Sequence, residues 1–533
     1  MSLIGWDRVC QPKSAGGLGF KKLDLMNKAF IMKIAWLLMT EPKKLVVKVL
    51  LSKYGLSPTD THQNFRTNAG SPLWKAVGRA WEPTKRGLCW SIGDGTTVSF
   101  WWDCWVIDDQ PLAHLALSSI PSDISLQSVA QFTLLNGSWN WNKFSHLLPH
   151  HVLLRIASIM PPSSSNGTDN FYWAASPSGH FTIRSAYMLL AKPWLSEASS
   201  VWKLAWSWKG PQRVRVFIWQ ALHSRLKTNC ELASRGIAMD AACERCGFAR
   251  EDTLHVLRDC PYSMAIWKRL LINGAHQSFF LDGLTDWLVS NLHTASSHGD
   301  LQGWSLTFGV VIWRLWFWRN KLMFNHEMWE SDRIMLDIYS RVAEIQRCFN
   351  SSLGAGQRHV EKWIRWSSPS WPWVKLNTDG ARKDSGVAGA GGLVRDYRGV
   401  WQVGFCVNLG ACSVLTAEIW GLYHGLCMAW QRGFQRIWVE VDSKSVTQIL
   451  ENPTTPVNEH HSLILAIREL LSRDWIVGVN HIYREANIAA DFLASFSLSF
   501  PLGLHFLTKA PPSLQCILNN DVAGVAPSRL VVF

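Results

Sequence analysis

The stretch from Trp371 to about Phe500 constrains the chain most, because its hydrophobic period switches between two and 3.6 in a fixed order. Trp373 to Asp379 (Trp-Val-Lys-Leu-Asn-Thr-Asp) alternates as a strand that ends at Asp379-Gly380. Two more strands, about Gly389 to Val394 and Val400 to Val407, flank the turn Asp396-Tyr397-Arg398-Gly399 and complete an antiparallel meander. A helix from Thr416 to Arg432 follows, with Glu418 in its first turn. The strand Ile437 to Asp442 reads as buried and ends in Asp442-Ser443. Helices at Val446–Leu450 and Ser462–Leu471 lead to a strand from Trp475 to Tyr483, and a last helix from about Ala486 carries Asp491. This order predicts an α/β domain, a five-stranded mixed sheet with flanking helices.

The acids in that segment fall at the switch points. A carboxylate closing a strand is an exposed group on a buried element, and Asp379 and Asp442 both hold that position. If their strands are neighbours, Asp379, Glu418, Asp442 and Asp491 converge at one end of the sheet. Singly, each acid has another explanation: a turn or cap for Asp379 and Asp442, a partner for the helix dipole for Glu418 and Asp491. Together they suit two hard divalent cations about 4 Å apart, one activating water and one stabilising the leaving oxygen of a phosphodiester.

A second constellation lies upstream, Cys243-x2-Cys246-x8-His255-x4-Cys260. Two thiolates from one tight turn, closed by Gly247, and a later His and Cys can complete a zinc tetrahedron. Four protein ligands leave no open position, so such a zinc is structural. The alternative is buried free thiols beside a core histidine. Before the cluster, residues 201–230 hold Lys203, Lys209, Arg213, Arg215, Arg225 and Lys227, with Trp202, Trp206, Trp208, Phe217 and Trp219 between them. Basic side chains neutralise phosphates and aromatic rings stack on bases. Val214, Phe217, Ile218, Ala221 and Leu222 nevertheless recur at helical spacing, which predicts a helix with one buried and one basic face. Lys209, Arg213, Arg215, Arg225 and Lys227 are the candidate nucleic-acid contacts. Trp313-Arg-Leu-Trp-Phe-Trp-Arg-Asn-Lys321 reads as an amphipathic core helix with its charges outward, with a cation–aromatic surface as the other reading.

The run Trp206-Ser-Trp-Lys-Gly-Pro-Gln-Arg-Val-Arg-Val-Phe-Ile-Trp219 with the cysteine cluster resembles the zinc-binding domain of plant non-LTR (LINE-type) reverse transcriptases. Pro12 to Phe20 looks like the segment just after their polymerase palm. No Tyr-x-Asp-Asp motif occurs, so polymerase activity is not implied, and the expectation is a C-terminal fragment of a retroelement protein without its polymerase. Leu376-Asn-Thr-Asp-Gly-Ala381, Thr416-Ala-Glu418, Val439-Glu-Val-Asp-Ser443 and His481 through Ala494 are similar to the ribonuclease H domain of plant retroelements. That resemblance implies Asp379, Glu418, Asp442 and Asp491 as the catalytic tetrad. It also implies two Mg²⁺ (or Mn²⁺) per site, and cleavage of the RNA strand of an RNA–DNA hybrid to leave a 3′-hydroxyl and a 5′-phosphate. Many such enzymes place a mobile histidine in the loop before the last acid. Here His481, in the strand, and Arg484 and Asn487, after it, are the auxiliary candidates, whereas His460 and His461 read as surface residues at a helix start.

The expected architecture is multidomain α+β, with a helical zinc-binding module ahead of the ribonuclease H-like domain. Residues 1–110 are expected to follow a polymerase palm, 111–168 to form a linker, and 169–268 to form the zinc-binding domain. Residues 269–356 form a helical Trp-rich connector, 371–500 the ribonuclease H-like domain, and 501–533 a tail of no readable role. Lys plus Arg number 53 against 40 Asp plus Glu, and the net +13 favours nucleic acid over a membrane as partner. Met1 to Phe20 lacks a secretory pattern, and charges interrupt every long apolar run, so no membrane span is expected. Twelve scattered cysteines without an export signal fit a reducing, intracellular compartment, with nucleus and cytoplasm undistinguished and oligomeric state unreadable. Three functions stay open: a hybrid-specific ribonuclease, a catalytically inactive nucleic-acid-binding remnant, and a nuclease of the same fold with another substrate.

Overall fold

The computed structural model describes residues 3–54, 70–108, 110–192, 194–271, 277–293, 303–327, 330–352, 359–454, 457–526 and 528–532. The chain forms two compact units, each from two stretches: Met1–Leu25 with Ala191–Gln357, and Met26–Leu190 with Arg358–Phe533. The Ser/Gly boundary at 351–356 lies largely outside the described residues. So do 272–276, 294–302 and 328–329 of the expected connector.

The first unit is helical around a tryptophan-rich core. The helix Gln212–Leu222 buries Val214, Phe217, Ile218, Ala221 and Leu222, the stripe that the periodicity predicts. Trp208 lies against Gly309 of the long helix Trp304–Asn325, where a Cβ would come within 2.4 Å of its indole nitrogen. That nitrogen donates to the Ser305 carbonyl at 2.8 Å. The segment Trp313–Lys321 is indeed a core helix, but two of its charges point inward. Arg314 and Arg319 are buried, Arg314 against Asp337 of the helix Ser331–Ser352 and Arg319 against Glu251. A guanidinium enters a core only with a matched anion, and both anions lie outside the run, so its own pattern could not show the pairing.

The second unit begins as a small module. Strand β1 (Leu88–Ser91) pairs antiparallel with β2 (Asn170–Trp173), and not with the residues just after it, although Gly93-Asp94-Gly95 and the alternation on to Asp103 read from sequence as a hairpin. The loop after β1 is fastened elsewhere: Asp169 accepts hydrogen bonds from the backbone N–H groups of Gly93 (2.8 Å), Gly95 (2.9 Å) and Thr97 (3.0 Å). Residues 111–168, expected as a linker, are folded. Leu112, Ile124, Val129, Phe132, Trp139, Phe144, Leu147, Val152 and Ile156 close one core with Val98, Phe100 and Trp101. The serines, prolines and asparagines that made this stretch resemble a linker instead start and stop its short helical turns.

The module's helix α1 (His150–Ala157) packs on the main sheet of the same unit. Strand β3 (His359–Trp363) leads into that sheet and pairs separately with the last strand. The sheet itself contains β4 (Val374–Arg382), β5 (Val387–Arg395), β6 (Trp401–Ala411), β7 (Arg436–Val441), β8 (Ile476–His481) and β9 (Gly503–Leu507), in the order β8-β7-β4-β5-β6-β9. The pairs β4/β7 and β7/β8 are parallel and the rest antiparallel. The expected five strands are therefore joined by a sixth, β9, drawn from the tail 501–533. Strand β10 (Ser528–Val532) completes the pairing with β3.

Helices α2 (Val414–Gln431), α3 (Lys444–Glu451), α4 (His461–Leu471), α5 (Ile488–Phe496) and α6 (Gln515–Ala523) flank the sheet. Glycines set how closely two of them approach. A Cβ at Gly380 of β4 would lie 2.4 Å from the Glu418 nitrogen on α2, and one at Gly391 of β5 would lie 2.4 Å from the Leu493 carbonyl carbon on α5. The two helices therefore sandwich the central strands. Among the described residues, no helix is long and apolar enough to cross a membrane.

Where α1 meets β6, Gly410 has φ +81° and a Cβ there would sit 2.3 Å from the Leu154 carbonyl oxygen. Gly410→Ala is accordingly expected to lower the unfolding free energy by about 2 kcal/mol, through both the left-handed backbone and the clash. Denaturant unfolding of the full chain measures it, and an unchanged midpoint would mean that the module is not docked on this strand.

Candidate metal-dependent active site

Strands β4 and β7 are held in parallel register as far as Asn377 opposite Glu440. Just past that last pair the strands part, and Asp379 and Asp442 flank the opening. β4 does not end at Asp379, as the sequence suggested, but runs on to Arg382 through its pairing with β5. Glu418 arrives from α2, whose start is capped by Ser413, its hydroxyl accepting from the Thr416 N–H at 3.1 Å. That cap puts Glu418 in the second turn and not the first, so the helix dipole does not explain it. One carboxylate oxygen from each of Asp379, Glu418 and Asp442 lies within 4.8 Å of the others.

The fourth acid, Asp491, stands in the first turn of α5. Its Oδ1 accepts from Arg484 Nη2 at 2.8 Å. Arg484 occupies the turn between β8 and α5, while His481 is the last residue of β8 and its ring packs near Tyr483. Asn487 is buried at the cap of α5, and its backbone carbonyl receives the Asp491 N–H at 3.1 Å. His460, read from sequence as a surface residue, is buried where α4 begins.

Burial and mutual repulsion dominate the electrostatics. Burial, then the charge of Asp442, holds the Asp379 carboxyl well above the usual carboxylate range. Burial, then Asp379 and Asp442, does the same to Glu418. Burial also raises Asp442, although nearby Arg484 opposes it. Glu418 Oε2 and Asp442 Oδ1 are buried without any hydrogen-bond partner in the protein. Buried anionic oxygens without donors are stabilised by a cation. The hard oxygen donor set fits Mg²⁺ or Mn²⁺.

The cysteine cluster also closes in space. The turn is set by Gly247 at φ +73°, with Gly247 N–H on the Cys243 carbonyl and Cys243 N–H on the Phe248 carbonyl, both 2.8 Å. His255 opens a single wide helical turn, and Cys260 caps the helix Pro261–Leu270. Ligand atoms of Cys243, Cys246, His255 and Cys260 all lie within 4.8 Å of one another, and Cys246 Sγ is 3.4 Å from His255 Nε2. A hydrogen bond from Cys260 holds the Cys243 thiol far below its usual range. Burial depresses His255, but its bond to Cys243 and the charges of Cys243, Asp252 and Glu251 together outweigh that and raise it. A soft S₃N donor set with one thiolate already favoured fits Zn²⁺. Behind it, buried Glu251 accepts from the Asn229 N–H at 2.9 Å and pairs with Arg319, which ties the loop to the long helix.

The candidate basic contacts divide. Lys209, Arg213 and Lys227 are exposed, with the Arg213 guanidinium 4.7 Å over the Trp313 ring. Arg215 donates to the Trp208 carbonyl at 2.9 Å, and Arg225 pairs with Glu231 at 3.0 Å. Sequence reasoning missed a buried polar group beneath the carboxylates: Lys375, Asn377, Arg395, Glu440 and Asp521. The signal was present as polar residues at 375, 377 and 379 on one face of an otherwise buried strand.

A mixed sheet with three clustered carboxylates at the parting of two parallel strands, and a thiol–imidazole site upstream, defines a ribonuclease H-like protein with a zinc-binding module. Residues 377–497 match the family model described as reverse transcriptase-like, and residues 181–267 the model for zinc-binding in reverse transcriptase. The Arabidopsis thaliana protein named "Putative ribonuclease H protein" is 33% identical over 539 residues, covering 99% of this chain and 86% of that one. An "Uncharacterized mitochondrial protein" of the same species is 31% identical over 116 residues, 22% of this chain and 75% of that one. Among solved structures, ribonuclease H1 from Halobacterium salinarum is 26% identical and covers 24% of this chain and 97% of that one, with a TM-score of 0.23. The chain belongs to the plant retroelement family of ribonuclease H proteins.

Two outcomes follow for the metal-free protein. A carboxyl raised on folding binds protons more tightly when folded. Its ionisation therefore opposes the fold, beginning above the unfolded carboxylate range near pH ~4 and growing toward the raised folded values. Thermal stability of the zinc-loaded protein without added Mg²⁺ is expected to fall as pH rises from about 5 to 8, and Mg²⁺ to restore it; a flat profile would contradict the cluster. Separately, metal analysis should find one Zn²⁺ per chain, and a strong chelator should melt the first unit, since structural zinc contributes on the order of 10 kcal/mol. His255→Ala should release that zinc.

Proposed function

We propose that this protein is a metal-dependent endoribonuclease that hydrolyses the RNA strand of RNA–DNA hybrids. The observation that carries the reading is the convergence of Asp379, Glu418 and Asp442 within 4.8 Å, with buried oxygens that lack protein donors. Membership of the ribonuclease H family supports the hybrid as substrate.

In this reading Asp379, Glu418, Asp442 and Asp491 hold two Mg²⁺, or Mn²⁺ in their place. Bound there, the metals supply an activated water and neutralise the leaving 3′-oxygen of the cut phosphodiester. The protein's own part is placement. β4 and β7 present Asp379 and Asp442 from rigid neighbouring strands. Gly380 lets α2 approach until Glu418 reaches both. Arg484 holds Asp491 by a charged hydrogen bond and, being exposed, adds a positive charge beside the acids that an anionic backbone could meet. Cys243, Cys246, His255 and Cys260 hold a structural Zn²⁺. Exposed Lys209, Arg213 and Lys227 then offer phosphate contacts on the zinc-bearing unit, with Arg213 backed by Trp313.

The decisive assay uses an end-labelled RNA–DNA hybrid in Mg²⁺, beside single-stranded RNA, duplex RNA and duplex DNA. Cutting should be confined to the hybrid and leave 5′-phosphates. EDTA should abolish it, and Asp442→Asn should reduce it at least about a hundredfold, since a metal's stabilisation of the transition state amounts to several kcal/mol. Hybrid binding without cleavage by folded protein would instead make the chain a catalytically inactive nucleic-acid-binding remnant. Cleavage of duplex DNA in preference to the hybrid would reassign the substrate.

A further inference from the structure

Beneath the carboxylates the second unit buries two cations and two anions that the proposed reaction does not use. Lys375 and Arg395 stand opposite each other on β4 and β5 and are 5% and 1% exposed. Lys375 pairs with Glu440 at 2.6 Å. Arg395 pairs with Asp521 of the C-terminal helix α6, also at 2.6 Å, and its guanidinium lies 3.7 Å over the Trp366 ring.

Asn377 joins the two pairs. Its Oδ1 accepts from Arg395 Nη2 and from Trp366 Nε1, both at 3.1 Å. Its Nδ2 donates to Glu440 Oε2 at 3.0 Å and to Asn487 Oδ1 at 3.2 Å. Asn487 in turn donates to the Thr378 carbonyl at 3.0 Å. Each arm stops one step short of a carboxylate. Asn377 precedes Asp379 by two residues on the same strand face, and Glu440 precedes Asp442, just past the end of β7, by two. Asn487 lies one helical turn before Asp491 and receives its N–H. Because two donors converge on Oδ1, the Asn377 amide has one orientation, and that orientation depends on where Arg395 points. Arg395 stays there because Asp521 neutralises it.

We infer that Asp521 is a positioning residue: through Arg395 and Asn377 it locks together the three elements that carry Asp379, Asp442 and Asp491, so the C-terminal helix is part of the framework of the metal site. The inference rests on the acids being a metal site. Without the Asp521 charge, Arg395 becomes an uncompensated buried cation. It then competes for Glu440, loosening Asn377 and, through it, the spacing of the acids.

Mn²⁺ binding to the zinc-loaded full chain, followed by electron paramagnetic resonance of the free ion, tests this beside thermal unfolding. Asp521→Asn keeps the shape and removes the charge. Trp366→Phe keeps the ion pair and removes one donor to Asn377. Leu518→Ala, on the same helix and buried but outside the network, is the control for packing alone. Asp521→Asn is expected to weaken Mn²⁺ binding about tenfold, the lower end of what removing a group that supports metal ligands costs, and Trp366→Phe about threefold, less because the Arg395 donor to Asn377 remains. Leu518→Ala should lower the melting temperature and leave Mn²⁺ affinity within about twofold. Asp521→Glu should recover part of the loss.

The positioning role is overturned if Asp521→Asn, or Trp366→Phe where Asp521→Asn does not fold, binds Mn²⁺ as wild type does. It is equally overturned if Leu518→Ala loses as much affinity as Asp521→Asn. Wild-type protein that binds no Mn²⁺ would sink the metal site itself, an outcome distinct from either.

Discussion

Three carboxylates brought within 4.8 Å repel one another where water cannot screen them, and the second unit is organised around that cost. In the absence of a cation, the response is protonation: burial, then the neighbouring charges, raises Asp379 and Glu418, and burial raises Asp442. Nothing in the apolar core benefits from such an arrangement. Each acid also comes from a separate element, on β4, α2 and after β7, so the cluster arises only when the whole sheet closes. A fold that holds like charges together this way is stabilised by the ligand that neutralises them. Repulsion in the free protein and affinity for a divalent cation are the same interaction seen with and without its counter-charge.

The zinc-type site in the first unit handles the same electrostatic problem differently. Its four ligands come from fewer than twenty successive residues, on a turn and a helix start, so little tertiary structure is needed to gather them. Three soft sulfurs and one imidazole leave no open position, and Glu251 and Arg319 beside them form a closed, buried pair. The carboxylate site is the reverse: hard oxygens, unpartnered atoms and a charged arginine at its rim. One site fits a fixed structural ion and the other an ion that keeps room for substrate.

Much of this was legible because the chemistry-bearing residues sit in local patterns. The Cys-x2-Cys spacing and the strand carrying Asn-Thr-Asp-Gly are short-range signals, and the strands and helices between 371 and 500 follow their hydrophobic periods closely. What the sequence hid is non-local. Composition at 111–168 is that of a linker, yet apolar residues spaced too irregularly to show a period share one core. Arg314 and Arg319 look like a solvent face until Asp337 and Glu251, distant in sequence, are placed beside them. The tail offered no period because it contributes short separate pieces: the edge strand β9, the helix α6 with Asp521, and β10 paired with β3. Burial of a charge depends on a partner that one segment cannot reveal.

Helix α2 shows how these local and distant terms combine. On its sheet side, Gly380 of β4 and Gly421 of the helix let the two backbones approach, and a Cβ at Gly421 would lie 3.0 Å from the Asp379 carbonyl oxygen. On its outer side, the indole of Trp420 donates to the Ser158 carbonyl at 2.8 Å, while Ser158 Oγ reaches the Ala411 carbonyl at 3.2 Å. Glu418 lies two residues before Trp420 and two after Thr416, whose N–H the capping Ser413 receives. Its carboxylate therefore rides on a helix pressed from within by glycines of the sheet and gripped from without by the 88–168 module. A side chain that must meet Asp379 and Asp442 to within tenths of an ångström cannot rely on one contact for its backbone. The module that composition marks as a connection thus supports the helix that carries Glu418, and the C-terminal helix, through Asp521, supports the strands that carry the other acids.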